Sequence, residues 1–155
     1  MKGRKYVVYL GGNLNLRSYK EAKKERDYVR KELEKTGRIK VLDPLRGKKP
    51  ATVMDLKGVI KQKGCVNPEL TVPELIGRDK RDLQKSDLLI ILTADRCTDG
   101  SWLEFGFMRY KLDRPVVLVA PSRKGSMSWS DYEASAVYTS VNEMIGKVIN
   151  YWSVE

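Results

Sequence analysis

Leu88-Leu89-Ile90-Ile91-Leu92-Thr93 is an uninterrupted apolar run. Such a run, without polar alternation, is typical of a strand that is covered on both faces of a parallel sheet. A charged, helix-like segment, Gly77 to Leu83, precedes it, and a polar loop, Thr98 to Gly100, follows it. That loop leads into a helix start that carries Glu104. The apolar run therefore predicts a strand of a parallel sheet, and the segment after it predicts a carboxylate close to the end of that strand.

Strand and helix patterns alternate on both sides of this run. The predicted strands are Tyr6–Leu10, Ile39–Leu42, Pro115–Ala120 and Val137–Thr139. The predicted helices run from Ser18 to about Thr36, from Pro73 to about Lys85, from Ser101 to Leu112, and onward from Ser140. This alternation predicts an α/β fold, a doubly wound parallel sheet with helices on both faces, in a single domain spanning 1–155.

The stretch between about residues 46 and 72 is basic and has a poor pattern. Lys48-Lys49-Pro50 and Lys61-Gln62-Lys63-Gly64 are typical of loop. A connection this long inside a compact domain is usually functional or mobile. We therefore expect a long basic loop here.

The ligand site of such a sheet follows from its topology. With a flavodoxin-like strand order of 2-1-3-4-5, the switch point lies between the first and third strands. The loops that leave these strands carry Gly11-Gly12-Asn13 and the segment 94–101. The topology therefore predicts a crevice where these residues meet.

Composition excludes several kinds of chemistry. The 155-residue chain contains no histidine, which removes Ser-His-Asp and Cys-His catalysis and any His-ligated zinc site. Acid–base work then falls to Asp, Glu, Lys, Tyr or water. Cys65 and Cys97 are too few for a disulfide framework and favour reduced thiols. No apolar run approaches the roughly 20 residues of a membrane span, and no cleavage site follows the basic N-terminus, so we expect a cytoplasmic protein without a membrane partner.

The formal net charge of +10 has three interpretations. A nucleic-acid partner is one, but the lysines and arginines lack interleaved aromatic residues, which makes nucleic acid an unlikely partner. A solvated basic surface is the second. The third is attraction of small anionic substrates such as nucleotides.

Several segments together resemble the nucleoside 2-deoxyribosyltransferase family, including its nucleotide N-glycosidase relatives. The resemblance covers most of the chain, and its order and spacing carry it more than any one piece. The segments are Tyr9-Leu10-Gly11-Gly12, Leu42–Lys48, Arg78–Leu83 with Ser86-Asp87-Leu88, Asp99–Phe107, and Met127-Ser128-Trp129.

The resemblance implies an active site and an assembly. Glu104 would be the nucleophile, Asp79 would contact the base and manage its proton, and Tyr9 and Asp99 would position nucleophile and sugar. No metal or organic cofactor is implied, and the family's homo-oligomers share active sites between subunits. The substrate-binding positions would be Gly11, Gly12, Asn13, Arg46, Thr98, Gly100, Ser101, Ser126, Met127 and Ser128.

The chain departs from the family at one position and leaves the substrate open at another. Gly125 stands where some transferases have an asparagine that helps hold sugar and nucleophile, and Ser126 or Ser128 would have to substitute. Nucleotide-cleaving relatives use a hydroxyl at the place of Thr98 to hold the 5′-phosphate. Thr98 and Ser101 therefore leave a monophosphate substrate open.

Each candidate also has a purely structural interpretation. Ser101-Trp102-Leu103-Glu104 has the form of a capping box, in which the glutamate caps its own helix. Asp79 and Arg46 would be solvated charges, with Asp79 paired to Arg78 or Arg81, and Asp82 a surface or packing group. Asp99 would be a turn residue, Tyr9 a core residue, and Met127 and Trp129 core or interface.

Taken together, the residues and the resemblance predict an enzyme that cleaves the N-glycosidic bond of a 2′-deoxyribonucleoside or its 5′-monophosphate. A carboxylate traps the sugar as a glycosyl ester, which divides one difficult step into two. Transfer of the deoxyribose to another base is the first expectation. A nucleotide hydrolase, and a catalytically silent nucleotide- or nucleic-acid-binding module, are the alternatives.

Overall fold

Strand β5 (Leu88–Leu92) lies at the centre of a parallel sheet, between β1 (Tyr6–Gly12) and β6 (Val116–Val119). The computed structural model describes residues 3–12, 18–54, 60–66, 68–96, 99–122 and 129–153. All five residues of β5 are buried, because helices cover both faces of the sheet. The apolar run therefore occupies the position that its composition predicts.

The sheet has the flavodoxin-like order. Its strands run β2-β1-β5-β6-β7, with β2 at Ile39–Leu42 and β7 at Ala136–Tyr138, and every pairing is parallel. Counted along the sheet's own strands, this is the predicted order 2-1-3-4-5. The ends of β1 and β5 meet at the switch point, where a ligand crevice is expected.

The helices begin at residues that satisfy their free N–H groups. Helix α1 (Tyr19–Glu34) has Ser18 as its N-cap, and α2 (Val72–Lys85) has Thr71, each in a capping box with a glutamate three residues on. Ser140 caps α5 (Val141–Lys147), which continues as a wider π-type turn over Val148–Trp152. Each cap stabilises its helix by about 1 kcal/mol.

Helix α3 (Asp99–Gly106) continues directly as a π-type turn over Phe107–Lys111, and a short α4 (Trp129–Glu133) precedes β7. Helix α3 begins two residues before its predicted start at Ser101. In the described part of the chain, no helix combines the length and the apolar character that a bilayer crossing requires.

The side chains of β1 alternate between two apolar clusters. Val8 and Leu10 pack with α1 and α5, whereas Tyr9 packs on the opposite face with Leu83 of α2 and Phe105 of α3. This period-two alternation follows from strand geometry. It places Tyr9 on the face that carries α3 and hence Glu104.

The expectation of a long basic loop at about 46–72 is wrong. This segment contains β3 (Lys49–Met54) and β4 (Ile60–Val66), which pair as an antiparallel hairpin separate from the main sheet. The strand pattern is hidden because the register shifts between Pro50 and Thr52. A proline and a bulge break the alternation by which strands are recognised in sequence.

Candidate active site

Glu104 reaches from α3 to the end of β1. The Tyr9 hydroxyl, whose residue is 0% exposed, donates a hydrogen bond of 3.1 Å to Glu104 Oε1. The other carboxylate oxygen, Oε2, lies over Gly11, where an added Cβ would come within 2.8 Å of it. Gly11 therefore provides the space that the carboxylate occupies.

The capping interpretation of Glu104 is not supported by this geometry. Helix α3 begins at Asp99, so Ser101 lies inside the helix, buried, and not at its N-cap. The Glu104 side chain turns to Tyr9 instead of back to its own helix. Its contacts are those of a site residue held by a neighbouring strand.

Burial controls the protonation of Glu104. Desolvation raises the pKa of its carboxyl from 4.5 to about 7, and the negative charge of Asp79 acts in the same direction. The Tyr9 hydrogen bond and the positive charges of Arg26 and Lys48 oppose this rise. Near neutral pH the carboxylate and the neutral acid are therefore both populated.

Tyr9 is a permanent hydrogen-bond donor in this site. Burial, followed by the charges of Glu104 and Asp79, raises the pKa of its phenol far above the ordinary 10.0. The phenol consequently keeps its proton at any physiological pH and donates a hydrogen bond to Glu104.

Asp79 lies on α2 in the electrostatic field of both Tyr9 and Glu104. Its Oδ1 accepts two hydrogen bonds from Arg78, at 3.1 Å from Nε and 3.0 Å from Nη2. Asp79 is therefore part of the candidate site and is also paired with Arg78, as its structural interpretation expects. The two roles are compatible, because among the described residues no hydrogen bond engages Oδ2.

Arg78 also holds the turn that follows β2 against α2. Its Nη2 donates to the carbonyl of Pro44 at 2.8 Å, and its Nη1 donates to the carbonyl of Arg46 at 3.0 Å. One guanidinium thus fixes both Asp79 and the turn over residues 43–48.

Arg46 makes contacts within the protein. Its Nη2 forms an ion pair with Asp82, a buried residue, and its Nη1 donates to the Asp43 carbonyl at 3.1 Å. Asp82 is therefore a packing group, one of its two predicted interpretations. Arg46 braces the turn to α2, and its proposed contact with substrate stays a prediction.

Two further charged residues lie beneath the site, and the sequence interpretation missed both. Arg26 of α1, 3% exposed, forms a buried ion pair of 3.0 Å with Asp43. The signal was present, because Arg26 falls on the buried stripe of α1 with Ala22, Val29 and Leu33. A charged residue on an apolar stripe indicates a buried partner.

The remaining predicted residues divide into three groups. Asp99 and Gly100 are exposed at the first positions of α3, and within the described ranges no hydrogen bond or ion pair is recorded between Asp99 and Glu104. Gly12 has a φ of 129°, and a Cβ there would lie 2.4 Å from the Leu92 carbonyl oxygen, so β1 ends at glycine for backbone reasons. Outside the described residues lie Asn13, Thr98, Gly125, Ser126, Met127 and Ser128.

Trp129 is not a core residue of this chain. It begins α4, is 78% exposed, and donates a long hydrogen bond of 3.4 Å to Glu133 Oε1. The core interpretation is therefore wrong for Trp129. Its interpretation as an interface residue stays a prediction.

Comparison by sequence finds no match: no protein-family model and no curated protein matches the chain. Comparison of structures does find similar proteins. A conserved protein from Enterococcus faecalis V583 superposes with a TM-score of 0.63 at 16% identity, covering 93% of this chain and 97% of that one.

Two structurally similar proteins carry descriptions of activity. A 2-deoxyribosyltransferase from Bacillus psychrosaccharolyticus has a TM-score of 0.60 at 17% identity, with 94% of this chain and 91% of that one covered. The CMP N-glycosidase BcmB of Clostridium botulinum has a TM-score of 0.58 at 14% identity, with 94% and 98% covered. These similarities show that the chain has the fold of these proteins over nearly its whole length. They confirm at the level of the fold the resemblance that the motifs predict.

Proposed function

We propose that this protein is an enzyme of the nucleoside 2-deoxyribosyltransferase type, which cleaves the N-glycosidic bond of 2′-deoxyribonucleosides or their 5′-monophosphates. The observation that carries the proposal is the placement of Glu104. Its carboxylate is desolvated, is hydrogen-bonded by Tyr9, and lies over Gly11 at the topological switch point. The shared fold of a deoxyribosyltransferase and an N-glycosidase supports the assignment.

The first chemical step uses Glu104 as the nucleophile. An ionised oxygen of Glu104 bonds to C1′ of the deoxyribose, while the bond from C1′ to the base nitrogen breaks and its electron pair leaves with the base. Asp79, in its neutral form, contacts the base and donates the proton that the base gains. A carboxylate in a desolvated site is a stronger nucleophile than one in water, because no hydration shell must be removed.

The second step releases the sugar. A nitrogen of a second base, or a water molecule, attacks C1′ and displaces Glu104 as a carboxylate, and the proton that the attacking group loses returns to Asp79. Tyr9 stabilises the departing carboxylate by its hydrogen bond to Oε1. Asp99, which lies at the start of α3, is assigned to the sugar hydroxyls. Attack by a second base transfers the deoxyribose to that base, and we propose this transfer as the main activity.

Hydrolysis of a nucleotide is the second candidate. It is favoured by the net charge of +10 and by the structural similarity to a CMP N-glycosidase. In this case Thr98 and Ser101 would hold the 5′-phosphate. Monophosphates should then be better substrates than nucleosides, with a preference that weakens as salt is added.

A shared active site is part of the proposal. The segment 125–129 would approach Glu104 of a neighbouring subunit and exclude water from the glycosyl ester. Exposed large apolar side chains around α3 and α4 support an interface there: Leu103, Tyr110, Trp129 and Tyr132. Aromatic side chains of this kind are enriched in protein interfaces.

The test is an incubation of the protein with each deoxynucleoside and deoxynucleoside monophosphate, with and without free adenine, followed by chromatography. Release of base with formation of deoxyadenosine indicates transfer, and release of base with free sugar indicates hydrolysis. Glu104→Ala should abolish both while the fold is retained. Turnover of that variant near the wild-type rate would exclude the mechanism, and an absence of any turnover by the wild type would leave the silent binder.

A further inference from the structure

Arg26 is the one cation of the site that is fully enclosed by described residues and has no part in the steps above. It lies on the inner stripe of α1 and is 3% exposed. Burying a guanidinium costs several kcal/mol unless its donors are satisfied. Its donors are satisfied, and their partners show what the residue holds together.

Two of these partners are backbone carbonyls at the end of β1. Arg26 Nη1 donates to the Leu10 carbonyl at 2.8 Å, and Nη2 approaches the Gly12 carbonyl at 3.4 Å. Gly11, between them, is the residue over which Glu104 Oε2 lies. Arg26 therefore fixes the backbone on which the carboxylate rests.

The third partner is Asp43 at the end of β2. Asp43 Oδ1 accepts from Arg26 Nη1 at 3.0 Å and from the Leu45 N–H at 2.8 Å, which shapes the turn over residues 43–48. That turn is held against α2 by Arg78, the partner of Asp79. A single guanidinium thus links the strand end that borders Glu104 to the turn that Arg78 holds against α2, the helix of Asp79.

We propose that Arg26 is a positioning residue for the nucleophile: it joins the end of β1 to the turn after β2, and its buried positive charge favours the ionised form of Glu104. The inference rests on the proposed function only in naming Glu104 as nucleophile. The groups that act on the charge of Glu104 are Tyr9 of β1, Arg26 of α1, Lys48 of the turn and Asp79 of α2, and Asp43 is connected to it through its ion pair with Arg26. Arg26 is the cation among them that the fold holds rigidly.

The charge of Arg26 and the charge of Asp43 should act on Glu104 in opposite directions. Arg26→Met removes the cation and leaves Asp43 as a buried anion, so the Glu104 carboxyl should titrate at a higher pH, by roughly one unit. Asp43→Asn keeps an oxygen acceptor for Arg26 and Leu45 but removes the anion, so Glu104 should titrate at a lower pH. Arg26→Lys keeps the charge and should move the titration least.

The experiment measures the titration of Glu104 directly, by ¹³C NMR of protein labelled at the glutamate carboxyl, with the signal assigned by its absence in Glu104→Gln. Arg30→Met is the matched control, because Arg30 lies one turn further along α1 in a partly exposed pair with Asp27. Opposite shifts in Arg26→Met and Asp43→Asn, with no shift in the control, support the proposal. An unchanged titration in both variants, or shifts of the same sign, overturns it.

The design separates this inference from the activity. Should Arg26→Met not fold, the sign of the shift in Asp43→Asn decides the question by itself. The titration is read without substrate, so it stands even if Glu104→Ala proves active and the proposed function fails. Where activity is present, the acid limb of the kcat/KM profile should move with the NMR titration in each variant. A loss of activity with the limb unmoved would assign Arg26 to stability alone and overturn the proposal.

Discussion

In the proposed mechanism, removing the Tyr9 hydroxyl should shift activity to a more alkaline pH. In Tyr9→Phe the ring still fills its buried position on the α3 face of the sheet, and only the 3.1 Å hydrogen bond to Glu104 Oε1 is lost. A hydrogen bond to a charged group contributes about 1.5–3 kcal/mol. This bond favours the ionised carboxylate, so its loss should raise the pKa of Glu104.

The size of the effect follows from the starting point. Glu104 has a pKa of about 7, so about half of the wild type carries the nucleophilic carboxylate at neutral pH. A loss of about 1.5–3 kcal/mol corresponds to a pKa rise of about one to two units. The ionised fraction at pH 7 then falls to between about 1% and 10%, which predicts a decrease in kcat/KM of about 5- to 50-fold.

The assay is the pH profile of kcat/KM for base release, from pH 5 to pH 9.5, for wild type and Tyr9→Phe. Since the ionised form is the active one, activity should rise with pH through about 7 in the wild type and one to two units higher in the variant. The two profiles should converge at the alkaline end. A uniform loss at every pH, with the acid limb in its original place, would refute the hydrogen bond as the control of Glu104 ionisation.

Three further predictions concern the same site. Gly11→Ala should lower kcat by about 100-fold, because the added Cβ would lie 2.8 Å from Glu104 Oε2 and would push the carboxylate out of position. Gly146→Ala is the control and should leave kcat unchanged, because its Cβ meets nothing within 4 Å. Equal kinetics of the two variants would contradict the contact. Glu104→Gln should have a free energy of unfolding about 3 kcal/mol higher than the wild type at pH 8, and an equal one below pH 4. The reason is that the pKa of Glu104 is higher in the native state than the unfolded value of 4.5, so the wild type loses stability as pH rises between the two values. Denaturant titrations that give the same difference at every pH would refute this. Trp129→Glu should weaken both assembly and activity, as seen by sedimentation and base release, and a fully active monomeric wild type would remove the shared site.

The sheet could be predicted because its signals are local. The composition of β5 determines its central position, and the alternation of strands and helices determines the parallel order. The meeting of Tyr9 with Glu104 was also accessible, since both residues lie at the switch point that the topology defines. Predicting the fold therefore also predicted that these two site residues lie close together.

The ionic connections could not be predicted in the same way. Arg46 pairs with Asp82, and Arg26 pairs with Asp43, across separate elements, and no periodicity within one element specifies such partners. The hairpin of β3 and β4 was not predicted for a different reason: the bulge between Pro50 and Thr52 interrupts the alternation of polar and apolar residues. What the sequence pattern lacked in each case was information about residues distant along the chain.

The grip of Arg78 on the carbonyls of Pro44 and Arg46 has a consequence for how this scaffold can change. The hairpin of β3 and β4 begins at Lys49, directly after these two carbonyls, so the chain is held by Arg78 just before the hairpin starts. Lengthening a loop costs only about 0.6 kcal/mol per doubling. Changes of length or sequence between Lys49 and Val66 are therefore expected to leave Asp79 and Glu104 in place, so this hairpin is where new segments can be inserted beside an unchanged candidate site.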